Sequence, residues 1–179
     1  MVDTEAVKAL ALGCGFSQVG DLEVRTIRVY PEVRDSCAEN KCHAYHTSWS
    51  CPPGCGSLEE GEARIRNYRR GLILQTTGAL EDSLDYEAME QIGGDHGKHL
   101  DALQDRLGIR YPRCLVLGAG PCRRCETCTY PHAPCRFPEQ MRFSMEAMGM
   151  LVSEVCKDNK LPYYYGPNTL TYVGCVLLD

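Results

Sequence analysis

Eight cysteines fall in two short windows, and their spacing constrains this chain more than any other feature. The first window, residues 37–55, reads Cys37-x4-Cys42-x8-Cys51-Pro52-Pro53-Gly54-Cys55. The second, residues 122–135, reads Cys122-x2-Cys125-x2-Cys128-x6-Cys135. Three thiolates at x2, x2 spacing wrap one face of an iron–sulfur cubane and leave loop N–H groups to donate to its sulfides, as at the start of bacterial ferredoxin runs. Structural zinc favours two separated C-x2-C knuckles closing a tetrahedron, so a third cysteine in register is one thiol too many. The second window therefore favours an iron–sulfur cluster over Zn2+, with Cys135 as the natural fourth ligand and Pro138 close behind.

The first window is less regular. Pro52 and Pro53 fix φ and Gly54 frees the backbone to bend back, a stiff turn that holds Cys51 and Cys55 towards one point. Metal held by Cys37, Cys42, Cys51 and Cys55 is the expectation, with a Cys51–Cys55 disulfide as the competing reading. His43 and His46 lie among these cysteines and are read as solvent-side or hydrogen-bonding residues rather than ligands. The other four cysteines, Cys14, Cys114, Cys156 and Cys175, sit among apolar neighbours and read as small buried hydrophobes.

Compartment decides between disulfides and metal. The N-terminal stretch carries Asp3, Glu5 and Lys8 with a short apolar run, unlike a secretory signal, so it reads as a surface helix packing Val7, Leu10 and Leu12 inward. Cytoplasmic thiols stay reduced, and clustered cysteines there point to metal or redox chemistry. The chain has 179 residues, 44% hydrophobic and 24% charged. That balance excludes intrinsic disorder and predicts one domain spanning residues 1–179. No apolar run is long enough to cross a membrane. The net charge of −5 argues against nucleic acid as a partner.

The remaining pattern predicts an α/β layered fold. Strands are expected at Val24–Tyr30, Gly71–Thr77, Cys114–Leu117 and Thr171–Leu178. Ser57-x-x-Glu60 is a capping box, which starts a helix running to about Arg69. Tyr86 to Leu107 is helical by periodicity, interrupted by Gly93, Gly94 and Gly97. Ser144 caps a helix to about Asn159. The order is βαβαβαβ behind an N-terminal helix, a mixed or parallel sheet of about four strands. Each half runs strand, cysteine loop, serine-capped helix, strand, a pseudo-duplication that would set both loops at the carboxyl ends of strands.

Arg110, Arg113, Arg123, Arg124, Arg136 and Arg142 gather near the second window in an acidic chain. Arg123, Arg124 and Arg136 are candidates to compensate an anionic cluster or to dock an acidic redox partner. Gly118-Ala119-Gly120 follows a strand but lacks the third glycine of a dinucleotide loop, so it reads as close approach to the cysteine loop. His96 and His99 read as surface, and Tyr163-Tyr164-Tyr165 as core aromatics or a shield over a cluster.

Cys37-x4-Cys42, Tyr45, Ser50-Cys51-Pro52-Pro53, Gly118-Ala-Gly-Pro-Cys122-x2-Cys125-x2-Cys128, Pro134-Cys135-Arg136-x-Pro138 and Ser144-Met-Glu-Ala147-x-Gly149 together resemble a prokaryotic domain-of-unknown-function family described as predicted metal-binding proteins. The resemblance runs from about Gly15 to the end. It implies metal binding by these cysteines, as iron–sulfur clusters in anaerobic prokaryotes, and supplies no reaction. It also implies that the position of Cys55 is often not cysteine, which leaves an open iron in the first cluster as an alternative. The leading expectation is a cytoplasmic protein with two [4Fe–4S] clusters that passes electrons to a redox partner protein. A redox enzyme with an open iron for a small substrate, and a Zn2+-stabilised interaction module, are the alternatives.

Overall fold

The computed structural model describes residues 2–111 and 113–179. Helix α1 (Thr4–Leu12) starts at Asp3, whose carboxylate accepts from the Ala6 amide at 3.1 Å. It buries Val7 and Ala11, whereas Leu12 is 53% exposed and faces away from the core. Strand β1 (Gln18–Glu23) follows, then a 3-10 turn at Val24–Thr26, helix α2 (Pro31–Asp35) and the first cysteine window. Helix α3 (Leu58–Arg66) leads into β2 (Arg70–Ala79), and α4 (Tyr86–Arg110) into β3 (Leu115–Gly118). After the second window come the short β4 (Phe143–Ser144), α5 (Val152–Asp158) and β5 (Thr169–Leu178).

The five strands form a mixed sheet in the order β1-β2-β5-β3-β4. Only β3 and β4 pair in parallel; the other neighbours are antiparallel. The α/β class holds, but strict βαβαβαβ alternation gives way to a sheet closed by an antiparallel β5 between β2 and β3. The two halves lead into different elements, a capped helix after the first window and a short strand after the second.

Strand periodicity divides the core between two faces. Leu72 and Leu74 of β2, with Val176 and Leu178 of β5, pack against Val7, Phe16 and the α4 residues Leu100, Leu103 and Leu107. Ile73, Val173, Cys175 and Leu177 point the other way, to Ile65, Phe143, Met145, Met148 and Val155. Burial on both sides explains why the central strands read as near-continuous apolar runs.

Three expected elements differ. Val24–Tyr30 is not a strand, although Val24 and Ile27 are buried. The Arg66 guanidinium takes the Val24 and Ile27 carbonyls at 3.2 and 2.9 Å, so a side chain replaces the strand partner, and only Val29 keeps a β-bridge, to Met150. α5 (Val152–Asp158) forms only the C-terminal part of the helix expected from Ser144; its start is a 3-10 turn at Glu146–Met148, where Ser144 Oγ accepts from the Ala147 amide at 2.9 Å. Gly149 then adopts a left-handed φ of 73° and stops it. A Cβ at Gly149 would also stand 2.8 Å from Leu58 Cδ1. In α4 the glycines do not break the helix. Gly94 and Gly97 face open space, while Gly93 lets the Tyr172 ring approach to 2.9 Å of a would-be Cβ.

His96 is not a surface residue. It is 1% exposed, with Nδ1 3.0 Å from Thr76 Oγ1, which in turn lies 3.1 Å from His99 Nδ1. Burial, aided by Arg142 and His99, lowers its pKa from 6.5 to about 3. Below the ordinary histidine range the unfolded chain binds a proton that the folded one refuses, so stability falls as pH drops through this window. Denaturant titrations between about pH 7 and about pH 4 are expected to show a flatter acid limb for His96→Gln than for the parent.

Candidate metal centre

The second window leaves the carboxyl end of β3. Gly120 turns the chain with a φ of 74°, and the following loop is irregular to Phe137. With no ladder to fix it, the loop is fastened by side chains. Arg136 donates to the Thr127 carbonyl at 2.7 Å, and Thr129 Oγ1 to the Pro134 carbonyl at 2.8 Å. Arg124 reaches α4, donating to Gln104 at 3.2 Å and pairing with Asp105 at 3.0 Å. The result is that Cys122, Cys125, Cys128 and Cys135 all line one cavity of about 240 Å³. All four are half-buried free thiols.

The first window follows a 3-10 turn at Ser36–Glu39 and is built from tight turns. Asn40, His43 and His46 all have left-handed φ, between 52° and 61°, a region that asparagine and histidine enter more readily than most side chains. Asn40 Oδ1 accepts from the Tyr45 amide at 3.0 Å, and the His46 amide donates to the Pro52 carbonyl at 2.8 Å. Cys51 and Cys55 are buried, Cys37 is half-buried and Cys42 is exposed, all as free thiols. The Cys55 amide donates to the Cys51 carbonyl at 3.0 Å, closing the turn. Gly54 has a different role from the bend expected of it, since Gly56 holds the positive φ of 86°. A Cβ on Gly54 would lie 2.5 Å from the Ser48 carbonyl and 2.8 Å from the Tyr130 ring. Glycine is needed there because the two windows press together.

Burial raises the Cys37, Cys51 and Cys55 thiols above the ordinary range. Hydrogen bonds from Ser48 and Ser50 oppose the rise at Cys51, and the Arg34 charge opposes it at Cys55. Metal binding must therefore displace protons from these sulfurs, and the same donors and cations favour the ligating thiolates. Arg34 is fixed by donating to the Ala147 and Gly56 carbonyls at 2.8 and 2.6 Å. Arg64 donates to the Cys55 carbonyl at 3.2 Å and lies over the Phe143 ring, 5.0 Å from its centroid. A further cavity of about 540 Å³ is lined by Cys37 and Cys42 with Ser144, Glu146 and Tyr163. Burial there raises the Glu146 carboxyl above the usual carboxylate range.

The structure brings Cys122, Cys125, Cys128 and Cys135 to one cavity and Cys37 with Cys42 to another. Cys55 shares a third hollow with Cys135. Of the arginine candidates, Arg123 lines the cavity of the second window, Arg124 is tied to α4, and Arg136 holds its own loop. Arg142 is buried on Asp101, and Arg113 pairs with Asp179 at 2.8 Å, so this set does not form one patch. The sequence does not single out Arg34, Arg64 or Ser48, and Ser50 stands out only as part of the Ser50-Cys51-Pro52-Pro53 motif that carries the resemblance. His46 packs its ring edge-on to Tyr130, with centroids 5.5 Å apart.

Among the described residues no three His, Cys, Asp or Glu side chains converge closely enough to hold a single ion. The fit to a metal rests on the chemistry of the donor set: thiols in two windows, four of them around one cavity, the soft ligands that select iron–sulfur clusters and zinc. Fold and site thus define a thiol-rich α/β protein with cysteines gathered in two loops. The chain belongs to the family described as "Predicted metal-binding protein (DUF2284)", whose model matches residues 20–178. No curated protein and no solved structure matches it. Among the described residues no helix is long and apolar enough to cross a membrane.

Proposed function

We propose that this chain, as one α/β domain in the cytoplasm, binds two [4Fe–4S] clusters and transfers electrons to a partner protein. The observation that carries this reading is the cavity of about 240 Å³ lined by Cys122, Cys125, Cys128 and Cys135 together. Cys37, Cys42, Cys51 and Cys55 would hold the second cluster. A cubane supplies reversible one-electron transfer when bound. The chain's own part is to ligate, to exclude water and to place charge. Cys55 is buried in the apolar cluster, where Arg34 and Arg64 offset the charge of its thiolate, while the Ser48 and Ser50 hydroxyls do so for buried Cys51. Arg123 and Arg124 in the wall of the second cavity would compensate that centre, while Arg136, which braces the same loop, would with Arg123 offer positive charge to an acidic partner. Anaerobically purified protein should bleach on reduction and recover its colour on reoxidation with its iron retained. Iron that is bound but takes up no electrons would contradict the electron-transfer role.

A second reading, an enzyme with an open iron at the first centre, is favoured by the cavity beside Cys37 and Cys42 and by the position of Cys55. That cysteine is 2% exposed and packs within the apolar cluster that holds Ile65 and Phe143. The two readings differ at one substitution. Cys55→Ala should lose about half of the bound iron if Cys55 is a ligand, and keep all of it if the first centre has an open iron.

A further inference from the structure

The two cysteine windows meet at one buried hydroxyl. Ser50, 1% exposed, directly precedes Cys51. Its Oγ accepts from the Cys122 amide at 3.0 Å, and stands 3.1 Å from Ser48 Oγ and 3.9 Å from Cys51 Sγ. A serine hydroxyl has one proton and two lone pairs, and a ligating thiolate has no proton to give. With Cys51 as a ligand, the Ser50 proton must point to its sulfur. A lone pair then takes the Cys122 N–H, so one hydroxyl links a sulfur of the first window to the backbone of the second.

The surrounding packing is equally close. Trp49 Nε1 donates to the Ala133 carbonyl at 3.0 Å, and the Trp49 ring stands edge-on to Tyr130 with centroids 4.8 Å apart. Gly54 leaves no room for a Cβ against the same tyrosine. Ser48 and Ser50 of the first window also line the cavity of the second. Docking therefore runs along the whole stretch from Ser48 to Gly54.

We propose that the two metal centres are immediate neighbours, joined through Ser50, which positions Cys51 of one ligand set against Cys122 of the other and makes them a magnetically coupled pair. This rests on the two-cluster reading. Ser50 is a positioning residue: it acts through Cys51 and Cys122, and its hydrogen bond to the Cys51 sulfur stabilises the reduced, more negatively charged state of that centre.

The test is electron paramagnetic resonance on the full chain, purified anaerobically and reduced at both centres, with iron counted on the same sample. About eight irons with a spectrum split and broadened by spin–spin interaction is the expected result. Cys128→Ala should reduce that spectrum to a single simple signal. About eight irons with two superposed, unperturbed signals would overturn the pairing and leave the two-cluster reading intact. About four irons or none would overturn both, so the iron count separates the two failures. Ser50→Ala adds a second readout. It should keep its iron while the midpoint potential of one centre moves to more negative values, and Ser50→Thr should recover part of that shift. An unmoved potential in an iron-replete Ser50→Ala protein would remove Ser50 from the junction. If that variant does not fold, the parent spectrum alone decides.

Discussion

Cys128→Ala is expected to halve the iron of the anaerobically purified protein, from about eight atoms per chain to about four, and Cys42→Ala to do the same at the other centre. Both side chains lie outside the packed core: Cys42 is exposed and Cys128 half-buried. Removing either sulfur therefore takes away a ligand without opening a void, and circular dichroism should show the sheet unchanged. Cys51 and Cys55 are poorer choices, because their burial mixes ligand loss with packing loss. A double variant carrying both changes should retain almost no iron. Loss of all the iron in either single variant would mean one shared centre and contradict two separate ligand sets, as would full retention of iron in both.

The second large effect concerns the anchor of the second window. Asp101 on α4 receives Arg142, whose side chain is 7% exposed, and stands 3.4 Å from Nε of Arg124, 13% exposed. Asp101→Ala leaves the Arg142 guanidinium buried without its carboxylate. Asp101 itself is 36% exposed, so the pair is half-buried, and leaving the Arg142 donors unpaired destabilises by about 1–3 kcal/mol. Arg124 keeps Asp105 at 3.0 Å, so the loop loosens without letting go. The metal-free protein should show this loss in urea titrations, and the loaded protein should release iron to chelators faster than the parent. Asp101→Asn, which keeps a neutral acceptor, should fall between the two. A change below about 1 kcal/mol, the value of an exposed pair, would mean that Arg142 finds another partner.

Local rules that live within one element were legible in the sequence. Ser57 and Glu60 form both hydrogen bonds of the capping box, at 3.2 and 2.7 Å. The apolar stretch around Leu72–Leu74 is a central strand, and Tyr86 onward is a helix, longer than expected at 25 residues. What escaped depends on partners distant in the chain. Val24–Tyr30 has strand-forming residues, but Arg66, some forty positions on, takes its carbonyls. The antiparallel insertion of β5 between β2 and β3 leaves no trace in element order.

At the site, the cysteines announce themselves by spacing, but their surroundings do not. Gly54 reads as a hinge and proves to be a contact with Tyr130, more than seventy residues away. Arg34 lies three residues before Cys37, yet nothing local shows that it fastens the carbonyls of Ala147 and Gly56. Charged residues near a cysteine run in sequence, such as Arg113 and Arg142, are drawn to Asp179 and Asp101. Proximity in sequence gives the ligands, and the cross-chain hydrogen bonds decide what surrounds them.

The most direct measurement is a visible absorption spectrum of anaerobically purified protein, with iron, zinc and acid-labile sulfide counted on the same sample. With two cubanes bound, the protein is expected to be brown, to bleach with dithionite and to hold about eight irons and about eight sulfides per chain. A colourless protein containing zinc and no sulfide, unfolding when the zinc is chelated, would contradict the two-cluster reading and make the two windows structural.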